Sequence, residues 1–205
     1  MESCRSLQLV IIRHSMTSWN KEKKYLGHMD LPVLKDSLLS YESLKRYLSQ
    51  GLPDAVYSSD LLRCQQTADF LYPDTPFLTD ERLRELDFGE WEGQTYDELK
   101  NDSHYSYWLQ HWEKTSTPNG ESGEEFHKRI ASFINDILNQ NVKSIAIITH
   151  GGVIRKIVSE LIQDLSYWDV AAPFGQAAVL HLQKEGGEWR CISLSAEPAA
   201  AKGSL

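Results

Sequence analysis

Leu9-Val10-Ile11-Ile12-Arg13-His14 near the start and Ile145-Ala146-Ile147-Ile148-Thr149-His150-Gly151-Gly152 late in the chain share one construction: a short apolar run that stops at a histidine. Four successive apolar residues without polar alternation suit a strand covered on both faces, as in a parallel sheet. Open α/β sheets build their sites beyond the carboxyl ends of such strands. Two histidines delivered there predict a site, and Arg13 beside the first predicts that it meets an anion.

The rest of the chain supports an alternation of strands and helices. Leu7 to Ile12 reads as the first strand. From Ser37 to Gln50, Leu38, Leu44, Tyr47 and Leu48 share a helical face that Gly51 ends. Asp54 to Tyr57 is a second strand, and Ser58-Ser59-Asp60 is read as the cap of a helix bearing Arg63, Thr67, Phe70 and Leu71, ended by Pro73. Leu83 to Gly93 reads as a loop. Tyr107, Trp108 and Trp112 fall on a short helix, followed by a turn at Pro118-Asn119-Gly120. Glu121 to about Asn139 carries Phe126, Ile130, Phe133, Ile134 and Ile137 at helical spacing. The Ser144–Thr149 strand leads into a helix with Val153, Ile154, Ile157, Val158, Leu161 and Ile162. Ala177–Leu182 and Trp189–Leu194, split by Gly186-Gly187, form a closing hairpin. The predicted fold is α/β, a three-layer sandwich with a largely parallel central sheet flanked by helices. One domain is expected over 1–195, with 196–205 a disordered tail.

Composition narrows the function. The 205 residues, 41% hydrophobic, suffice for one ordinary core. A formal charge of −8, from 21 basic and 29 acidic residues, argues against nucleic acid or an anionic membrane as partner. An anionic small molecule would then need a locally positive pocket. Cys4, Cys64 and Cys191 are odd in number and widely spaced, so neither a disulfide framework nor a zinc knuckle is expected. His104, His111 and His127 lack a metal-ligand spacing and read as surface residues. No signal-peptide core or membrane span is evident, which predicts a cytoplasmic setting.

Arg13-His14-Ser15-Met16-Thr17-Ser18-Trp19-Asn20 resembles the Arg-His-Gly-x-Thr-x-x-Asn signature of the histidine phosphatase, or phosphoglycerate-mutase-like, superfamily. Four further blocks follow in that family's order: Gly27-His28-x-Asp30-x-Pro32, Ser58-Ser59-Asp60-Leu61-x-Arg63-x-x-Gln66-Thr67-Ala68, Arg84-Glu85-x-x-Phe88-Gly89-x-Trp91-Glu92-Gly93 and Thr149-His150-Gly151-Gly152. The resemblance spans about residues 7 to 195. It implies that His14 is a nucleophile forming a phosphohistidine, that Arg13, Arg63 and His150 surround the phosphate, and that Glu85 is the general acid. It places Asn20, Gly27 and Gly151 against the substrate and requires no cofactor or metal. Ser15 and Met16 stand where the family usually has glycine and an acidic or amide residue, and Ser37 also replaces a usual glycine.

The residue types suit that chemistry in their own right. Phosphoryl transfer depends on positioning and on stabilising charge over three non-bridging oxygens. Arg13 and Arg63 each offer planar paired donors, and His150, if protonated, would add a third positive charge. Gly151 and Gly152 open a helix whose N–H groups can approach an anion. A neutral His14 can attack phosphorus when its second ring nitrogen is held as a donor by a backbone carbonyl. Asp87, Glu90 and Glu92 compete with Glu85 for the acid's role.

Three activities fit: a phosphatase acting on a small phosphorylated metabolite, a phosphoglycerate mutase, and a non-catalytic binder suggested by Ser15 and Met16. Only 35 residues separate Glu85 from Glu121, and Lys100 and Lys114 are their only basic side chains apart from histidine. That favours the phosphatase. Tyr107-Trp108-x-x-His111-Trp112…Pro118-Asn119-Gly120-Glu121-Ser122-x-x-x-Phe126-x-x-Arg129 is similar to α-ribazole phosphatases of cobalamin assembly and to broad-specificity phosphatases. The aromatic cluster reads first as helix packing and second as the wall of a lid. The sequence does not distinguish a monomer from a homodimer.

Overall fold

The computed structural model describes residues 5–199. β1 (Arg5–Arg13), β2 (Ala55–Ser58), β3 (Leu78–Thr79), β4 (Ser144–Thr149), β5 (Ala177–Glu185) and β6 (Glu188–Glu197) form one sheet in the order β3-β2-β4-β1-β5-β6. The first four run parallel, and β5 and β6 close the sheet as an antiparallel hairpin. The sheet is therefore mixed, with the expected parallel centre. The short edge strand β3 has only two residues and left no periodic trace in the sequence.

The central strands are apolar throughout because both faces are covered. Leu7, Leu9 and Ile11 of β1 and Ile145 and Ile147 of β4 pack against α6 (Gly123–Leu138) and α7 (Gly151–Leu161). Val10, Ile12, Ala146 and Ile148 face the opposite layer, where Leu44 and Leu48 of α2 (Glu42–Leu48) join Cys64, Ala68 and Leu71 of α3 (Leu62–Leu71). Each large apolar side chain so buried is worth about 1.5–3 kcal/mol relative to exposure. The remaining α-helices are α1 (Ser18–Lys21), α4 (Tyr96–Leu99) and α5 (Ser103–His111).

Several local expectations change. The predicted helix over 37–50 divides into a 3₁₀ segment, Lys35–Tyr41, and then α2. Ser58-Ser59-Asp60 does not cap α3: the N-cap is Leu61, and the Leu62 N–H is taken by Asp30 Oδ1 from another loop at 2.7 Å. Asp60 instead pairs with Arg84. The presumed tail begins as ordered structure, because β6 runs through Glu197; positions 200–205 lie outside the described residues, as does Cys4. Cys64 and Cys191 are free thiols. His104 and His111 are exposed as expected, but His127 is half-buried against Trp112 and Tyr167.

Candidate active site

Strand register assembles the site. Arg13 pairs with Thr149 and Ser58 with Ile148, so the residues that follow each strand emerge side by side. The His14 N–H donates to Thr149 O at 2.8 Å and the Ser59 N–H to Ile148 O at 2.9 Å. The buried rings of His14 and His150 meet edge-on with centroids 5.0 Å apart.

His14 has the form a nucleophile needs. Its Nδ1 lies 2.7 Å from the carbonyl oxygen of Ser15, so a proton there leaves the lone pair on Nε2. Burial, and then the charges of Arg63 and Arg13, push the imidazole well below its ordinary range, which keeps it neutral. The loop is held from beneath: the buried Tyr41 hydroxyl is 2.9 Å from both Arg13 O and His14 O, and the Ser15 N–H donates to Thr67 Oγ1 at 2.9 Å. Ser15 does not adopt a left-handed backbone; among the described non-glycine residues only Lys23 and Asn119 have positive φ. Its hydroxyl lies 2.7 Å from that of Ser37, whose Oγ is in turn 2.6 Å from Leu34 O. The two serines that replace glycines thus form one hydrogen-bonded pair.

Two guanidinium groups supply the positive charge. Arg63 is fully buried and donates from Nη2 to Gly27 O (2.6 Å), from Nη1 to Met29 O (2.8 Å) and from Nε to His150 Nδ1 (3.3 Å). Arg13 lies 4.0 Å over the Phe174 ring and donates to Ala172 O at 3.0 Å, while its Nε is buried without a partner. Among the described residues neither forms an ion pair. Burial works against both charges, and an uncompensated buried charge costs on the order of several kcal/mol. An anion placed between them would remove that cost.

His150 differs from expectation. Because its Nδ1 accepts from Arg63, the ring proton sits on Nε2, facing Ser59 Oγ at 3.0 Å. Burial and Arg63 together push this imidazole well below its usual range. In the free protein it is a neutral, oriented donor and not a third cation. The neighbouring Cys64 thiol, 3.4 Å from His150 Nε2, is pushed up to about 12 by burial and stays protonated.

The four neighbouring carboxylates have different partners. Glu92 accepts from the His28 and Met29 N–H groups, Asp87 from Gly89 N–H, and Glu90 from the Asn119 side chain. Glu85 Oε2 instead accepts from the Gly152 N–H at 3.0 Å, and Oε1 from Leu86 N–H at 3.1 Å. Its carboxylate lies on the first turn of α7, near enough to Arg13 and Arg63 to favour both charges. A Cβ on Gly152 would collide with Glu85 Oε1 and lie 2.9 Å from the Tyr167 hydroxyl. This N–H therefore serves Glu85, not a phosphate. The Glu85 loop is anchored from behind by Arg129, which donates to Arg82 O, Arg84 O and Glu85 O. Glu121 accepts from Asp87 N–H, and the Thr117 hydroxyl donates to Asp87 O. The Pro118-to-Arg129 stretch thus shapes the loop rather than touching the pocket.

The three expected substrate contacts divide. Asn20 spends its Oδ1 on Thr17 in a capping box, leaving its Nδ2 without a partner among the described residues. Gly27 acts through Arg63: its carbonyl holds the guanidinium, and its missing side chain admits the Leu86 carbonyl. Gly151 lies against the Arg13 guanidinium, where an added Cβ would make an ordinary contact 3.4 Å from Cζ, so the geometry there does not demand glycine.

Beside Glu85 opens a cavity of ≈ 370 Å³. Tyr25, Phe88, Trp108, Trp112, Tyr167 and Trp168 form its wall, with Arg155 on one side. The aromatic cluster is thus both core and wall: Trp108 is buried at 6% exposure yet reaches the cavity, whereas Tyr107 is 55% exposed and stacks on His111 outside it. Arg155, Tyr167 and Phe174 were missed by the sequence reading. Arg155 lies four residues after Gly151, one helical turn along, and that spacing could have identified it.

Both histidines are neutral when folded but take up a proton in the unfolded chain below about pH 6.5. For a base with a depressed folded pKa, stability is present above the unfolded pKa and lost as pH falls below it. In phosphate-free buffer the melting temperature is therefore expected to fall as pH is lowered from about 7 to about 5, and a flat profile would contradict the assignment of two neutral buried imidazoles.

The chain is similar to known proteins along most of its length. A family profile described as histidine phosphatase superfamily (branch 1) matches residues 9–197. The adenosylcobalamin/alpha-ribazole phosphatase of Escherichia coli is 27% identical over 194 residues, which are 92% of this chain and 91% of that protein. A broad-specificity phosphatase of Saccharomyces cerevisiae is 31% identical over 166 residues, covering 76% of this chain and 70% of its own. The crystal structure of the alpha-ribazole phosphatase from Shigella flexneri superposes with a TM-score of 0.82 at 27% identity, covering 92% of this chain and 96% of that one.

Proposed function

The chain belongs to branch 1 of the histidine phosphatase superfamily, and from that membership we propose that it hydrolyses small phosphomonoesters through a phosphohistidine on His14. The observation that carries this reading is a neutral histidine with its Nε2 lone pair available between the Arg13 and Arg63 guanidinium groups, neither of which has a carboxylate partner among the described residues. His14 Nε2 attacks phosphorus in line as the bond to the leaving oxygen breaks. Arg13 and Arg63 take the non-bridging oxygens, Asn20 Nδ2 adds a neutral donor, and His150 orients Arg63 through Nδ1. Glu85 gives its proton to the leaving alkoxide, then removes one from the water that attacks the phosphohistidine. Phosphate is released and both residues return to their starting states. The positive charge comes from the two arginines, so the proposed reaction needs no metal.

The aromatic wall supports a flat, apolar leaving group, which a nucleoside such as α-ribazole or a simple aryl group would supply. Lys100 and Lys114, the basic residues between Glu85 and Glu121, do not line this cavity, which supports hydrolysis over transfer to a bisphosphorylated ligand. In EDTA, phosphate release from p-nitrophenyl phosphate is expected to exceed that from 3-phosphoglycerate by at least about tenfold in kcat/KM. Equal or better turnover of 3-phosphoglycerate would overturn the aromatic preference, conversion to 2-phosphoglycerate would favour a mutase, and activity that returned only with added metal would overturn the metal-free route.

A further inference from the structure

Arg155 is the cation of the leaving-group cavity that the proposed chemistry does not use. It lies one turn into α7 from Gly151 and shares the cavity lining with Glu85, the proposed proton donor. Its Nε donates to Val170 O at 3.1 Å, which fixes the plane of the guanidinium against the segment that follows α7. Tyr167 lines the same cavity, and the Trp168 ring lies 5.8 Å from the Arg155 Cζ. No carboxylate pairs with it among the described residues, and Glu85, the acidic residue of this cavity, is held by the Gly152 and Leu86 N–H groups. The α7 neighbour Lys156 does find an acidic partner, Glu160. The cavity therefore combines a wall of aromatic rings with one positively charged fork whose Nη donors are not matched by an acid.

We propose that Arg155 selects the leaving group, taking a carboxylate on the alcohol half of an aromatic phosphomonoester while the phosphate occupies the His14 pocket. The inference rests on the phosphatase reading of that pocket and adds a carboxylate on the aryl leaving group as the feature that raises affinity over the plain aryl compound. A guanidinium matches a carboxylate with two parallel donors, and the surrounding rings lower the competition from water. The same surroundings offer nothing to a second hydroxyl-rich or cationic group. Arg155 thus does not take part in bond making; it sets which alcohol is held with its oxygen at Glu85.

The test is equilibrium binding, which does not depend on turnover. Calorimetry compares phenylphosphonate with its 3-carboxy and 4-carboxy derivatives on the wild type, Arg155→Leu and Arg155→Lys. Wild type is expected to bind one carboxylated isomer about tenfold or more tighter than phenylphosphonate. Arg155→Leu is expected to bring the two within about threefold, and Arg155→Lys to restore part of the difference. A general structural role would instead weaken all three ligands together. Equal affinities in wild type, or a preference that survives Arg155→Leu, would overturn the inference. Phosphate release from p-nitrophenyl phosphate is measured alongside: its presence with no carboxylate preference would refute the role of Arg155 alone. Failure of every phosphonate to bind would refute the phosphate pocket and the inference with it.

Discussion

His14→Ala is expected to release no phosphate from p-nitrophenyl phosphate above the uncatalysed background, while melting within a few degrees of the wild type. The substitution removes the attacking atom, and the oriented charges that remain have no bond to make. Residual catalysis from binding and electrostatics alone reaches about 10³-fold over water in other nucleophilic enzymes, which for a phosphomonoester lies far below an assay's reach. The fold should tolerate the change. The ring makes one hydrogen bond, to the adjacent Ser15 carbonyl, and the main chain is held independently by Thr149, Tyr41 and Thr67. Turnover within about tenfold of wild type would exclude the covalent route.

The second large effect is expected from Arg63→Lys. Lysine keeps the charge but replaces a rigid fork with a single ammonium. It cannot reach Gly27 O, Met29 O and His150 Nδ1 together, as Arg63 does, and still present donors to a phosphate. His150 would lose the contact that fixes its tautomer. A fall in kcat/KM of about 10²- to 10³-fold is expected, the scale of losing an oriented donor to developing charge. The rise in melting temperature that inorganic phosphate gives the wild type should shrink as well, since that rise reports binding to the same pocket. Near-wild-type kinetics would mean that Arg63 is a structural residue and that Arg13 alone holds the anion.

Much of this architecture was legible because it depends on local rules. The two apolar runs read as strands covered on both faces, and their register sets both histidines at the same sheet edge. The long helix α6 has strong periodicity and an N-terminal Ser122 cap, so its bounds agree with expectation to within about two residues. What the chain did not reveal depends on three-dimensional neighbours. Asp87, Glu90 and Glu92 crowd the same loop as Glu85, which in the sequence only the family resemblance distinguished; the partners of each carboxylate set Glu85 apart by a second route, on the Gly152 N–H. Ser15 and Ser37 read as two separate departures from a family pattern, and only their 2.7 Å contact makes them one feature. The α3 cap escaped notice because Asp30 supplies it from a distant loop. The charge state of His150 turns on which of its nitrogens faces Arg63, which spacing cannot tell.

The mixed character of the sheet also bears on the site. β5 runs antiparallel to β1 and begins at Ala177, just after the segment that carries Ala172 and Phe174. That segment brings the Ala172 carbonyl and the Phe174 ring onto Arg13. The closing hairpin is therefore part of the means by which Arg13 is fixed, and not only an edge to the core. Together with Gly27 and Met29 on Arg63, backbone carbonyls orient both cations without neutralising them.

The most direct measurement is to trap the intermediate on p-nitrophenyl [³²P]phosphate, quenching in alkali with detergent and mapping the label by peptide digestion. The account predicts label on the peptide containing His14, stable to alkali and released by mild acid as a phosphoramidate is, and absent from His14→Ala. Label on a serine or cysteine, label persisting in His14→Ala, or hydrolysis by wild type with no covalent species under single-turnover conditions would contradict it.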